Sequence, residues 1–250
     1  MPITIKSERE IELMTEAGRI LGIVHKELEK ALKPGMSTLD IDALGEEVIR
    51  SYGCEPSFLN YNGYPASICV SVNDEIVHGI PSAKHLIKEG DIVSLDAGVI
   101  YKGYHSDAAR THAVGEIRPD LQKLIDVTRE SFFEGIKFAK EGNHLYDISN
   151  AIDAYIRPFG YGIVRDLVGH GIGTSLHEDP QIPNFAQHRR GLKLQAGMTL
   201  AIEPMINIGR PDVAWLDDDW TVVTEDGSLS AHYENTVLIT DGEPEILTMY

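Results

Sequence analysis

Four carboxylates and three histidines stand in surroundings that a solvated surface does not explain. Asp96 lies between Leu95 and Ala97 in the alternating stretch Asp91-Ile92-Val93-Ser94-Leu95-Asp96-Ala97-Gly98-Val99. A carboxylate buried there is costly unless it is paired or bound to metal. Asp107 follows eleven residues on, in a stretch that reads as the return strand of a hairpin, and a hairpin can bring both acids to one face. Glu203 sits in Leu200-Ala201-Ile202-Glu203-Pro204-Met205, an acid within an apolar strand, and Glu234 sits at the head of another, in His232-Tyr233-Glu234-Asn235-Thr236-Val237. His170 is flanked by glycines in Val168-Gly169-His170-Gly171-Ile172-Gly173, which lets a backbone approach closely and leaves the imidazole exposed. His177 follows in Leu176-His177-Glu178, and His78 stands in Val77-His78-Gly79-Ile80-Pro81. Any one of the acids alone is more commonly a buried ion pair or a strand-end turn. All four together fit that account poorly.

One imidazole and four carboxylates make an oxygen-rich donor set, suited to borderline-to-hard divalent ions rather than to a thiolate zinc site. Four negative charges in one apolar cavity repel unless cations are present. Two divalent ions neutralise them, and a hydroxide held between two metals is a strong nucleophile at neutral pH. The residue types therefore reach a two-metal hydrolase or a metal-binding scaffold, and leave the substrate open.

Such a set needs strands to carry it and helices to back them. Ser7-Glu8-Arg9-Glu10 reads as a capping box opening a helix whose face is Ile11, Met14, Ala17, Leu21, Val24 and Leu28, stopped at Pro34-Gly35. A second helix is expected from Ser37-Thr38 to about Tyr52, with Leu44, Val48 and Ile49 inward. Strands follow over 67–77 and 91–99, with a turn near Tyr101-Lys102-Gly103 and a return over 104–114. The order then repeats: helices over 119–140 and 145–159, then strands over 162–168, 199–206, 221–223 and 230–240. Two helices then a sheet, twice, predict one α/β domain of two related halves, about 1–118 and 119–250, with no Pro-, Gly- or Ser-rich linker between them.

The bulk composition narrows the partners. Of 250 residues, 42% are hydrophobic and 24% charged, ordinary for a globular enzyme, and the formal charge is −17. That balance argues against non-specific affinity for nucleic acid or anionic membrane. The basic segment 187–193 reads as a solvated loop, and His25, His85 and His188 read as solvated side chains. Cys54 and Cys69 belong to no paired motif and suit a reducing compartment. With no signal pattern at the start and no apolar run near the ~20 residues that span a bilayer, a cytoplasmic location is expected.

At these residues the chain closely resembles the type I methionine aminopeptidases. The matching segments are Val77-His78-Gly79-Ile80-Pro81, Asp96-Ala97-Gly98 with Asp107, Gly169-His170-Gly171-Ile172-Gly173 with His177, Ile202-Glu203-Pro204-Met205, and Ala231-His232-Tyr233-Glu234-Asn235-Thr236. Their order and spacing are highly specific, and the resemblance spans nearly the whole chain. It implies a pita-bread fold, two pseudo-symmetric halves around a curved antiparallel sheet. It implies two divalent ions (cobalt, manganese, iron or zinc): Asp96 on one, His170 and Glu203 on the other, Asp107 and Glu234 bridging both. Glu203 would also shuttle a proton, His177 would stabilise the oxyanion, and His78 would contact the scissile amide. Phe58, Tyr61, Tyr64, Cys69, Leu176 and Trp220 would line a methionine pocket, with Phe58 where a cysteine is common and Leu176 where an aromatic is common.

The resemblance further implies a monovalent cation near Asn73 and Ser230. It implies nascent polypeptide N-termini as substrate, acceptance of a small second residue, contact with the ribosome near its exit tunnel, and a monomer. On that rule the chain itself, with Pro2 second, is expected to lose Met1. Neither the zinc-finger extension of eukaryotic type I members nor the long type II insertion is expected. The rivals are a sister peptidase of Xaa-Pro bonds, which usually carries an extra N-terminal domain, and a metal-free binding module, which would have lost ligands.

Overall fold

The structure is a computed structural model and describes residues 3–249; the expected loss of Met1 before Pro2 lies outside them. Two helices open the chain, α1 (Glu8–Ala31) and α2 (Thr38–Ser51). Both begin in capping boxes, Ser7 with Glu10 and Ser37 with Asp40, which satisfy N–H groups that a helix start leaves unpaired. The strands that follow are β1 (Glu55–Pro56), β2 (Ile68–Val72), β3 (Glu75–Val77), β4 (Ile92–Tyr101) and β5 (Tyr104–Ala113). Then come α3 (Pro119–Ile136), with proline in its first turn, and α4 (Leu145–Ile156), followed by a short 3-10 turn over Arg157–Phe159. The rest is strand: β6 (Gly162–Ile163), β7 (Gly169–Gly171), β8 (Glu178–Ile182), β9 (Thr199–Ile202), β10 (Met205–Asn207), β11 (Val213–Trp215), β12 (Val222–Thr224), β13 (Ser230–His232), β14 (Asn235–Leu238) and β15 (Glu245–Ile246).

Every strand pair is antiparallel. In the first half, α1 and α2 lay Leu21, Val24, Leu28, Ile41 and Ile49 on Ile68, Val70 and Leu95. In the second half, α3 and α4 lay Phe132, Ile148 and Ile152 near Leu200, Ile202 and Val237. The halves meet where β5 abuts β14: Asp107 N donates to Thr236 Oγ1 at 2.9 Å, and Thr236 Oγ1 donates to Asp107 O at 2.9 Å. No helix among the described residues is long and apolar enough to cross a membrane.

Several expectations need correction. The stretch 67–77 is two strands separated at Asn73, whose φ is 60°. The strand expected over 162–168 covers only Gly162–Ile163. The stretch 199–206 breaks after Ile202, and 230–240 breaks after His232. Proline cannot donate to a central ladder, so Pro204 ends β9, which lies between β14 and β7, and the chain resumes as β10 in another sheet. His25 is not solvated: it is wholly buried, and its Nε2 lies 2.8 Å from Ala108 O on β5.

Candidate metal centre

The hairpin of β4 and β5 fixes two of the acids. Asp96 pairs with Ala109 and Gly98 pairs with Asp107, so the two aspartates are diagonal neighbours two residues apart in register. Side chains two apart along a strand share a face, and Asp96 and Asp107 therefore point the same way. Cys69 on β2 pairs with Asp96 and joins them on that face.

The other two acids sit where the chain leaves one sheet for another. Ile202 pairs with Asn235 between β9 and β14, and Met205 pairs with His232 between β10 and β13. Between those two pairs the ladder is broken on both strands, and the broken residues are Glu203-Pro204 and Tyr233-Glu234. Tyr233 N donates to Pro204 O at 3.2 Å, and Glu234 N donates to Ala109 O at 2.9 Å, which ties the break to β5. His170 is on β7, opposite Ala201 on β9, two residues before Glu203.

These elements bring all thirteen residues expected at the site to one cavity of about 310 Å³: Asp96, Asp107, His170, Glu203 and Glu234, with His78 and His177, and with Phe58, Tyr61, Tyr64, Cys69, Leu176 and Trp220. Asn62 also lines it and was not expected; the turn signal Asn62-Gly63 was its one trace in the sequence. His232 was not expected either. It is buried behind the acids, its Nε2 3.6 Å from Glu203 Oε2.

The electrostatics fit a cation. Burial pushes the Asp96 carboxyl up to about 7, and pushes Asp107, Glu203 and Glu234 well above the usual carboxylate range. The neighbouring acids add to this for Asp107 and Glu234. Asp96 Oδ1 and Asp107 Oδ1 are buried without a hydrogen-bond partner among the described residues. Ligand atoms of Asp107, His170 and Glu234 all lie within 4.8 Å of one another. Burial, then the neighbouring His177, holds His170 down to about 3, so its ring is neutral at neutral pH. His170 Nδ1 lies 2.9 Å from Gly171 O and can bond it only by donating. That tautomer leaves the Nε2 lone pair facing Asp107 Oδ2 at 3.8 Å and Glu203 Oε1 at 3.7 Å, the arrangement of a metal-binding imidazole with its far nitrogen anchored. The donor set thus fits divalent metal.

The apolar wall stands beside the acids. Tyr64 and Trp220 meet edge to face at 5.1 Å, and Trp220 meets His78 at 6.1 Å. His78 sits at φ 59°, a backbone conformation few non-glycine residues adopt, next to Gly79, whose missing Cβ would fall 2.4 Å from Val70 O. Burial holds His78 down to about 4 and lowers His177, so both rings are neutral near pH 7. His177 Nδ1 lies 2.8 Å from Tyr61 OH, and its ring centroid is 4.1 Å from that of His170.

Known proteins resemble this chain in sequence and fold. The family model described as metallopeptidase family M24 matches residues 12–241. A methionine aminopeptidase of Clostridium acetobutylicum is 56% identical over 99% of this chain and 99% of its own length. The crystal structure of methionine aminopeptidase from Thermotoga maritima superposes with a TM-score of 0.97 at 44% identity, covering 100% of both chains. The Xaa-Pro dipeptidase from Bacillus anthracis superposes less well, with a TM-score of 0.80 at 27% identity, covering 98% of this chain and 62% of that one. The chain belongs to metallopeptidase family M24 and, within it, to the methionine aminopeptidases, with their pita-bread fold.

Proposed function

We propose that the chain removes N-terminal methionine from nascent polypeptides whose second residue is small, using two divalent ions held by Asp96, Asp107, His170, Glu203 and Glu234. The observation that carries this reading is one cavity in which these five residues adjoin an apolar wall of Phe58, Tyr61, Tyr64, Cys69, Leu176 and Trp220. Bound divalent metal would supply Lewis acidity and make water a competent nucleophile at neutral pH. Glu203 takes a proton from the attacking water and passes it to the leaving amine. His177, neutral and steadied by Tyr61, donates to the oxyanion of the tetrahedral intermediate. His78, which lines the same cavity, contacts the scissile amide.

Methionine suits this wall because its unbranched thioether fills irregular apolar space and packs well on ring edges. An Asp or Lys side chain there would lose hydration with no opposite charge in the wall, which is costly. The second residue would lie beside the metals and histidines, where little room remains. The peptides Met-Ala-Ser, Leu-Ala-Ser and Met-Lys-Ser test both halves of the reading. Met-Ala-Ser is expected to be cleaved at least about tenfold faster than either of the others, the scale of small differences in an apolar pocket. Equal rates for Met-Ala-Ser and Leu-Ala-Ser would refute a methionine pocket, and equal rates for Met-Ala-Ser and Met-Lys-Ser would refute a restricted second position.

A further inference from the structure

The loop between β7 and β8 carries Leu176 and His177, and it is gripped from outside the cavity by the segment before α1. Lys6 Nζ lies 2.7 Å from Glu178 Oε2, and the two side chains are only 5% and 4% exposed. Thr4 Oγ1 donates to the same carboxylate oxygen at 2.8 Å. The other oxygen, Glu178 Oε1, accepts from Ser175 N at 3.2 Å, within the loop itself. Gly173 closes against the pair: a Cβ there would lie 2.5 Å from Glu178 Oε1 and 2.6 Å from Lys6 Cε. The Lys6 backbone is fixed in turn, its N–H donating to Gly197 O at 2.8 Å, just before β9.

Neither Lys6 nor Glu178 lines the main cavity, and neither has a part in the reaction described above. A buried ion pair is weak evidence for stability, because desolvation offsets much of the attraction. This one joins two segments 172 residues apart, and its acidic member is the residue after His177. We propose that Lys6 and Glu178 are positioning residues that clamp the 172–178 loop and so hold His177 against the reacting bond; this rests on the role given to His177 under Proposed function. Tyr61 holds the His177 ring from within the cavity, and the clamp holds its backbone from without.

The test uses the metal-loaded full chain. Lys6→Met removes the charge and keeps the stem. Lys6→Met/Glu178→Gln leaves no buried charge unpaired and keeps an acceptor for Ser175 N. Three quantities are read: metal content, amide hydrogen exchange over 172–178, and kcat and KM for Met-Ala-Ser. Both variants are expected to keep their metals and to exchange faster in the loop alone. Their kcat should fall by about 10- to 100-fold, the scale of an ångström-sized displacement of a catalytic group, with KM changing far less. Wild-type loop exchange and kcat in the double variant would overturn the clamp, and that variant decides the matter if Lys6→Met fails to fold. Faster loop exchange in the double variant, with a wild-type protein that does not cleave Met-Ala-Ser, would sink the substrate reading and leave the clamp standing.

Discussion

Glu234→Ala and Asp107→Ala are each expected to abolish binding of both metal ions and, with it, nearly all peptidase activity. The reason is the role proposed for them from the resemblance, in which each would serve both ions. Ligand atoms of Asp107, Glu234 and His170 converge within 4.8 Å, and all three residues are buried. An acid that serves two ions cannot be lost without leaving both short of a ligand and short of negative charge. Asp96, the neighbour of Asp107 in the hairpin register, is proposed to serve one ion only, so Asp96→Ala should mainly weaken that ion. Metal analysis of the purified variants checks the ordering. Two tightly bound ions per chain in Glu234→Ala would contradict the bridging assignment, and equal losses in Asp96→Ala and Asp107→Ala would contradict the division of roles.

The second large effect is at His177. His177→Ala is expected to keep both metals and to lose turnover by about 10²- to 10³-fold, the usual consequence of removing one oxyanion donor. The geometry separates it from His170 although the two rings are only 4.1 Å apart. His170 directs Nε2 at Asp107 and Glu203 with its Nδ1 on a backbone carbonyl, whereas His177 directs Nδ1 at a phenol. His170→Ala should therefore lose metal, and His177→Ala should not. Metal content together with kcat in the two variants reads the difference. A His177→Ala protein that lost its metals would mean that ligand and catalyst had been exchanged.

The acids were legible in the sequence because Asp96 and Glu203 each interrupt an apolar run, Glu234 heads another strand, and Asp107 falls on the return strand of a hairpin whose turn at Lys102-Gly103 sets a register that puts it on one face with Asp96. The broken ladder at Glu203-Pro204 and Tyr233-Glu234 was not legible: a run of apolar residues looks the same whether it serves one sheet or two, and only Pro204 hinted at the break. The strands β7 and β8 were missed because Gly169-His170-Gly171 and Glu178-Asp179-Pro180-Gln181 have little strand propensity of their own and exist through pairing to each other and to β9. His25 was misread for a different reason. The helix period already placed it inward, four residues after Leu21 and three before Leu28 on the buried face of α1, but its polarity outweighed its place, and the carbonyl that receives it lies 83 residues away. Lys6 escaped notice likewise, since lysine is ordinarily exposed and its partner Glu178 lies far along the chain.

On the function proposed above, the acid cluster works by holding metal against the bond to an N-terminal methionine. Protein stripped with a chelator and exchanged into metal-free buffer should release no methionine from Met-Ala-Ser. Adding back manganese should restore release, with the rate saturating as the ions bind. Undiminished release of methionine from the stripped protein would contradict the account.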